Sequence, residues 1–281
     1  QTVNKWATDF VGEWKETIMR NRLLQSKTLE RQSIAKLAEQ YRNADHRLLA
    51  LDYDGTLVPF CNKPENAVPS DEVISIIRQL TLDPRNKVLI NSGRDRPFLE
   101  KWFGDLDVCI SAEHGASLKE DGKWMERIVS QQWSQRLMAI LRKFEQKTPG
   151  SRLEIKKTAL AWHYRESDAW LGAFRAQQLA RTLLDECTKE GLQMIQGNKV
   201  IEIKSAEYNK GTIISYFLAQ RPYSFVMAIG DDATDEDMFQ ALPEHGISIK
   251  VGGPSPSARY QLPLQADVVP FMRHIMEGGA Q

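Results

Sequence analysis

The sequence predicts an α/β protein in which a doubly wound, mainly parallel sheet is interrupted by a separate α+β segment. Strand-like and helix-like runs alternate in residues 45–128 and again in residues 205–281, as expected for parallel strands joined by right-handed crossovers. Residues 129–204 show a different order of helix, strands, helix and strands. We therefore predict a core of two chain segments, one inserted segment, and an N-terminal helical segment or linker of residues 1–44.

The N-terminal segment has the apolar spacing of one or two amphipathic helices. Trp6, Phe10, Trp14 and Ile18 recur at helical intervals, and a similar pattern continues to Tyr41. A helix of this kind needs an apolar surface to pack against, and the pattern alone does not identify that surface.

The first half of the core alternates three predicted strands with helices. Apolar runs predict strands at Arg47–Leu51, Lys87–Asn91 and Asp107–Ser111. Helical patterns follow Ser70 and the Arg96-Pro97 pair, which are typical residues for the start of a helix.

The inserted segment contains two long helical patterns, Gln131–Lys147 and Asp168–Glu190. Period-2 strand patterns follow at Arg152–Tyr164 and Gln193–Lys204, the second of them with a turn at Gly197-Asn198. This order predicts an α+β layer of its own.

The core resumes with a helix after Asn209, a strand at Ser224–Ile229, a second helix and a strand at Gly246–Val251. The second helix is predicted to begin with Thr234 as its N-cap, since acidic residues follow in the first turn.

Composition limits the kinds of partner. The 281 residues include 37 Lys plus Arg and 37 Asp plus Glu, so no global positive field would recruit nucleic acid or an acidic membrane. No apolar stretch approaches the roughly 20 residues of a membrane span. The cysteines, Cys61, Cys109 and Cys187, are odd in number and widely spaced, which favours reduced thiols in a cytoplasmic protein.

Two carboxylates, Asp52 and Asp54, directly follow the first apolar strand. Open α/β sheets usually bind ligands at this end of their strands. One carboxylate of such a pair can attack an electrophile while the other moves a proton, if their environments separate the two pKa values. An acidic turn after a strand is the structural alternative.

Three further motifs complete a pattern with the Asp52–Leu57 block: Ser92-Gly93-Arg94, Lys210-Gly211 and the acidic block from Gly230 to Asp237. In order and context the four resemble the motifs of the haloacid dehalogenase (HAD) superfamily of phosphotransferases. The resemblance implies a HAD-like, Rossmann-like core with an inserted α+β cap that determines substrate specificity.

Within that superfamily the chain most resembles the trehalose-6-phosphate phosphatases. The blocks that carry this resemblance are, in chain order, LDYDGTL at 51–57, SGR at 92–94, AEHG at 112–115, AWHYR at 161–165, VIEIK at 200–204, NKG at 209–211 and GDDATDEDMF at 230–239. The family often has a proline shortly after the VIEI block, which is absent here.

The resemblance implies roles for the core residues. Asp52 is expected to attack phosphorus and become an aspartyl phosphate, while Asp54 protonates the leaving sugar oxygen and then activates water. Ser92 is expected to donate to a phosphate oxygen, and Lys210 to neutralise the nucleophile and the phosphate.

An oxygen-only carboxylate cluster of this kind suits Mg²⁺. The resemblance implies Asp52, the Asp54 backbone carbonyl, Asp231 and Asp235 as its ligands, with Asp232 as an alternative to Asp235.

Sugar recognition is assigned by the resemblance to a core loop and to alternating polar residues of the cap strands. These residues are His114, Glu154, Lys156, Arg165, Asn198 and Glu202. Trp162 and Tyr164 are expected on the opposite, packed face. Alternating charges on a strand also occur on any solvent-exposed sheet face.

The expected reaction is the Mg²⁺-dependent hydrolysis of trehalose 6-phosphate, a small-molecule sugar phosphate, to trehalose and phosphate, the last step of trehalose biosynthesis. Another HAD sugar phosphatase or phosphomutase remains an alternative, as does a non-catalytic regulatory module fused to a synthase. The segment from Val3 to Phe10 resembles the last helix of a trehalose-6-phosphate synthase domain, which implies such a domain in the same chain or complex. A helix that packs on the present domain is the alternative interpretation.

Overall fold

The computed structural model describes residues 27–61, 64–127, 132–197 and 199–278. The synthase-like segment and most of the predicted N-terminal helix lie outside these residues, as does Asn198. The part of the predicted helix that is described, Arg31–Asn43, is helical and begins at residue 31.

The larger of two sheets in the described chain has nine strands. In chain order they are β1 (Lys27–Thr28), β2 (Arg47–Leu51), β3 (Asn86–Asn91), β4 (Cys109–Ala112), β5 (Ser117–Glu120), β6 (Lys123–Glu126), β11 (Phe225–Gly230), β12 (Ile247–Val251) and β13 (Tyr260–Leu262). Their spatial order is β1-β13-β12-β11-β2-β3-β4-β5-β6. Pairing is parallel from β1 to β4 and antiparallel in the β4-β5-β6 edge.

The smaller sheet belongs to the inserted segment and is antiparallel. Its strands are β7 (Arg152–Ile155), β8 (Ala159–His163), β9 (Leu192–Gly197) and β10 (Val200–Ser205), in the order β7-β8-β10-β9. The predicted strand Arg152–Tyr164 is thus two strands joined by a turn.

Helices cover both faces of the larger sheet and one face of the smaller. They are α1 (Arg31–Asn43), α2 (Asp71–Thr81), α3 (Arg96–Phe103), α4 (Gln135–Gln146), α5 (Ala169–Lys189), α6 (Lys210–Gln220), α7 (Thr234–Gln240) and α8 (Val268–Glu277). Because side chains alternate along a strand, Leu49 and Leu51 of β2 pack in a cluster with α1, α2, α3 and α8. Leu48 and Ala50 pack instead with α6 and α7. The result is a three-layer α/β/α core, which confirms the predicted fold class.

The apolar face of the smaller sheet forms a separate core with α4 and α5. Trp162 of β8 is fully buried there with Leu141 of α4, Leu179 of α5 and Ile201 of β10. The opposite face, which carries the polar residues, has no helix over it within the described residues. None of the described helices is both long enough and apolar enough to cross a membrane.

Several elements were not predicted. The β5-β6 hairpin, the edge strands β1 and β13 and the last helix α8 lie in segments where the sequence pattern is short or weak. The chain leaves the larger sheet for the smaller one before α4 and returns to the larger sheet between β10 and α6. The division into segments at residues 44, 128 and 204 stays a prediction.

Candidate active site

The candidate site lies at the carboxyl ends of three neighbouring parallel strands. Asp52 directly follows β2, Ser92 follows β3 and Asp231 follows β11, and β2 pairs with both of the other strands. Parallel pairing therefore brings together residues that lie far apart in the sequence.

Lys210 links two carboxylates at the centre of the site. Its Nζ donates to Oδ1 of Asp52 at 2.5 Å and to Oδ1 of Asp235 at 2.7 Å, and the side chain is buried. Burial alone would lower the pKa of Lys210, but the neighbouring carboxylates, Asp235 first, raise it well above its usual value. The lysine is therefore a fixed cation at neutral pH.

The start of α6 fixes the position of Lys210. Asn209 and Thr212 form a reciprocal capping box, which makes Lys210 the first helical residue. The side-chain amide of Asn91, at the end of β3, donates to the backbone carbonyl of Lys210 at 3.0 Å.

Asp52, Asp231 and Asp235 each place a carboxylate oxygen within 4.8 Å of the other two. Burial, with the charge of Asp231, raises the pKa of Asp52 to about 7 although Lys210 lowers it. Burial and the charges of Asp232 and Asp235 raise the pKa of Asp231 to about 7, and burial also raises the pKa of Asp235. Oδ1 of Asp231 is buried without a hydrogen-bond partner among the described residues. Several carboxylate oxygens thus lie close together, and one of them is buried and unpaired. Such a group of oxygen atoms fits a hard divalent cation.

Gly55 makes room for this cluster. Its φ is +82°, and a Cβ there would lie 2.2 Å from a carboxylate oxygen of Asp231. Any side chain at this position would be strained and would displace the Asp231 carboxylate, which explains the glycine in the first motif.

The predicted N-cap role of Thr234 is wrong. Thr234 is the first residue of α7, and Ala233 occupies the cap position without a side-chain cap. The carboxylate of Asp232 instead accepts from the backbone nitrogen and hydroxyl of Thr234, at 2.8 and 2.7 Å. The Asp235 carboxylate folds back to accept from the backbone nitrogens of Asp231 and Asp232. The side chains of Asp232 and Asp235 thus accept hydrogen bonds from the backbone of their own turn. Of these two residues, only Asp235 belongs to the cluster with Asp52 and Asp231.

The Asp54 carboxylate lies outside this group of three. Nε and Nη2 of Arg94 donate to its two oxygens at 2.7 and 2.5 Å. The sequence reasoning used Arg94 only to recognise a motif and did not predict this partner. The nearby Ser92 hydroxyl is buried and accepts from the backbone nitrogen of Arg94 at 3.1 Å, so it shapes the loop that presents the arginine.

On the polar face of the cap sheet, a small residue lies between two glutamates. Glu154 of β7, Ala161 of β8 and Glu202 of β10 are direct partners in neighbouring strands. Their side chains therefore share one face, and Ala161 leaves space between the two glutamates. Nε2 of His163 lies 2.8 Å from the Glu154 carboxylate on the same face.

Glu202 is the point where this face meets the core. His114 Nε2 lies 3.7 Å from one of its carboxylate oxygens, and Lys156 Nζ lies 3.7 Å from the other. Burial alone would raise the pKa of Glu202, but His114, Lys156 and Lys204 lower it to about 2. Glu202 is therefore ionised at neutral pH. A Cβ on Gly93 would lie 2.4 Å from Nε2 of His114, so the second motif also leaves room for this contact.

Two further contacts between cap and core were not predicted. The hydroxyl of Thr158, in the turn between β7 and β8, donates to the carboxylate of Glu113 in the loop after β4. Lys157 of the same turn lies 3.4 Å from Glu126 of β6. Glu113 has a positive φ of 49°, as does its neighbour His114 at 57°, so the core loop holds two non-glycine residues in an uncommon conformation.

Lys204 is a second buried cation that the sequence reasoning left without a role. Its Nζ donates to the backbone carbonyl of Tyr208 at 2.6 Å, across the crossover between β10 and α6. Burial lowers its pKa to about 8. Lys204 was already indicated by the sequence, because it ends the VIEIK block and shares a strand face with Glu202.

The remaining predicted residues separate into three cases. Arg165 is exposed and lies beyond the end of β8. Asn198 lies outside the described residues. Trp162 and Tyr164 pack with the cap core as predicted, with their rings stacked at 5.1 Å.

Comparisons with known proteins agree on one family. The family model described as trehalose-phosphatase matches residues 50–264. A bifunctional trehalose-6-phosphate synthase/phosphatase of Thermoproteus tenax is 36% identical over 91% of this chain, and a trehalose-phosphatase of Saccharomyces cerevisiae is 34% identical over 86%. This chain covers 35% and 30% of those proteins, about a third of their length.

Solved structures show the same likeness. The trehalose-6-phosphate phosphatase C-terminal domain of Candida albicans has a TM-score of 0.81 at 32% identity, over 90% of this chain and 98% of that one.

Proposed function

Because the chain belongs to the trehalose-phosphatase family, we propose that it hydrolyses trehalose 6-phosphate to trehalose and inorganic phosphate. The observation that carries the proposal is the contact of His114 with Glu202, because it joins the polar face of the cap to the loops that hold the carboxylate cluster. A phosphate at Asp52 and a sugar bound by the polar face of the cap sheet would then belong to one substrate.

In the proposed reaction a free oxygen of Asp52 attacks phosphorus, and the bond from phosphorus to the sugar oxygen breaks. Asp54 gives a proton to the departing sugar oxygen. It then removes a proton from the water that hydrolyses the aspartyl phosphate and releases inorganic phosphate. Lys210 and Ser92 hold the phosphate oxygens, and Lys210 favours the ionised form of Asp52 against the effect of burial.

The metal is proposed to be Mg²⁺, held by Asp52, Asp231, Asp235 and the backbone carbonyl of Asp54. The unpaired buried oxygen of Asp231 supports this choice, since a hard cation would supply its missing partner. When bound, Mg²⁺ would offset the negative charge that the cluster presents to an incoming phosphate.

Sugar recognition is proposed for His114, Glu154, Lys156, Arg165, Asn198 and Glu202. Support is strongest for Glu154, Lys156 and Glu202. Glu154 and Glu202 share one sheet face as partners of Ala161, and Lys156 Nζ lies 3.7 Å from the Glu202 carboxylate. Charged groups that hydrogen-bond to substrate hydroxyls reject substrates that lack those hydroxyls.

The relatives also support a proposed partner. One of them is a bifunctional synthase/phosphatase, so we propose that a trehalose-6-phosphate synthase domain works in the same chain or complex. A cytoplasmic location is proposed from the three free cysteines, two of them buried.

The test is phosphate release from trehalose 6-phosphate, sucrose 6-phosphate and mannose 6-phosphate, each with Mg²⁺ and with a chelator. The proposal requires strong preference for trehalose 6-phosphate and loss of activity in chelator. Preference for another sugar would support a different sugar phosphatase. No release from any substrate would support the regulatory alternative, although the intact Asp52–Lys210–Asp235 contacts argue for catalysis.

A further inference from the structure

The cap carries a basic groove that the proposed reaction does not use. It lies between α4 and α5 and has a volume of about 440 Å³. Four cations line it together with the apolar side chains of Ile140 and Phe144. They are Lys143 of α4, Lys147 at the C-terminal cap of α4, and Arg175 and Arg181 of α5. No acidic residue is among the lining side chains.

The four cations lack a direct ion-pair partner in the described part of the chain. None of them forms a salt bridge there, whereas Arg136 and Glu186 of the same two helices pair at 3.0 Å. Lys143 and Lys147 are four residues apart on one helix, where like charges cost stability. This concentration of unpaired positive charge indicates an anionic ligand.

Arg175 provides a more specific indication. Its Nη1 donates to Oε1 of Gln178 at 2.8 Å, which orients the guanidinium. Its Nε is buried and has no hydrogen-bond partner among the described residues. A buried unpaired donor beside the groove is costly unless a ligand or water accepts from it.

The apolar side chains of the groove indicate which chemical group an anionic ligand would carry. Phe144 lies edge-on to Trp162, with ring centroids 6.5 Å apart, so its position is fixed by the cap core. A groove of this volume is the size of a small-molecule site rather than a protein interface. We propose that the groove binds an organic diphosphate that carries a flat ring, as a nucleoside diphosphate does. The ring would lie against Phe144 and Ile140, and the diphosphate against the four cations.

This site is separate from the proposed active site. Helices α4 and α5 pack on the apolar face of the cap sheet through Leu141 and Leu179, whereas Glu154 and Glu202 lie on the opposite face. Binding in the groove therefore needs neither the carboxylate cluster nor a metal.

The test is isothermal titration of the whole chain with ADP and with pyrophosphate, in chelator and at about 0.15 M ionic strength. We expect one site per chain and tighter binding of ADP than of pyrophosphate. Lys143→Ala and Arg181→Ala should each weaken ADP binding about tenfold or more, because each removes a charge-assisted contact. Arg142→Ala is the matched control, an exposed cation of α4 that does not line the groove, and should change binding less than about twofold.

Three results would overturn the proposal: no ADP binding up to about 1 mM, equal weakening by Arg142→Ala, or no weakening by the groove variants. Equal affinities for pyrophosphate and ADP would overturn the assignment of the ring to Phe144. Hydrolysis of an aryl phosphate should be unchanged in Lys143→Ala and Arg181→Ala, so the outcome does not depend on the proposed phosphatase activity.

Discussion

Arg94 holds the carboxylate of Asp54 by two hydrogen bonds, one from Nε at 2.7 Å and one from Nη2 at 2.5 Å. The guanidinium also lies 4.5 Å from the ring centre of Phe98, which limits its movement. The two hydrogen bonds fix the orientation of the carboxyl group that is proposed to transfer the proton. Arg94 is therefore expected to act through Asp54.

The first prediction is that Arg94 and Asp54 are coupled. Asp54→Asn should lower kcat for trehalose 6-phosphate by about 10²–10⁴-fold, because proton transfer is lost. Arg94→Ala should lower it by about tenfold, since Asp54 loses its orientation. The double variant should be no slower than Asp54→Asn alone. Fully additive losses would show that Arg94 has a role of its own.

The second prediction is that Asp52→Asn abolishes turnover and leaves the fold intact. An amide cannot form the acyl phosphate, and the pKa of about 7 shows that the Asp52 charge is not a source of folding stability. The measurements are steady-state phosphate release and the thermal unfolding midpoint. Ser92→Ala is the comparison, because loss of one hydrogen bond should leave measurable turnover. Near-normal activity of Asp52→Asn would remove it from the nucleophile role.

The third prediction concerns pH and metal. The pKa values of Asp52 and Asp231 are raised from 3.8 to about 7 in the folded protein. The folded state therefore binds protons more tightly than the unfolded state. This contribution to stability is complete below about pH 4 and is lost as pH rises through 7.

In chelator, the free energy of unfolding should therefore fall by a few kcal/mol between about pH 5 and 8. Mg²⁺ should restore it at pH 8 and have little effect at pH 5, because the cation binds ionised carboxylates. Asp231→Asn should flatten the pH dependence in chelator. A stability that is independent of pH and of Mg²⁺ in the wild-type chain would contradict the metal-site proposal.

The fourth prediction separates recognition from chemistry. Glu202→Gln and Lys156→Ala should lower kcat/KM for trehalose 6-phosphate by about tenfold or more, since each removes a charged contact with the sugar. Both variants should hydrolyse a small aryl phosphate about as fast as the wild type. Equal losses on both substrates would assign these residues to folding or to the chemical step.

The fifth prediction is that the contact between Thr158 and Glu113 holds the cap against the core. Thr158→Val keeps the shape of the side chain and removes the donor to Glu113, so kcat/KM for trehalose 6-phosphate should fall about tenfold. Thr188→Val is the matched control, because the Thr188 hydroxyl donates only to a carbonyl of its own helix. Equal effects of the two substitutions would argue against a role in cap closure.

Most of the fold could be predicted from local patterns. Strand β2 was predicted with its observed limits, because it is a short apolar run that ends in turn-forming residues. Helix α5 was predicted within one residue at each end, because a long amphipathic helix has strong periodicity. The β5-β6 hairpin and the edge strands β1 and β13 were missed. These elements are short, and their pairing partners rather than their own sequence determine that they are strands.

The sequence by itself determined the family, the order of the longer strands and helices before α8, and which residues could carry the chemistry. Motif residues and apolar patterns are local properties of the chain. Only the tertiary structure decided which polar groups meet: Arg94 with Asp54, Lys210 with Asp235, and His114 with Glu202. These partners come from different strands, helices and loops, and His114 and Glu202 are 88 residues apart in the sequence. Ion pairs depend on distances of a few ångströms and on burial, which arise only when strand pairing and helix packing bring remote segments together.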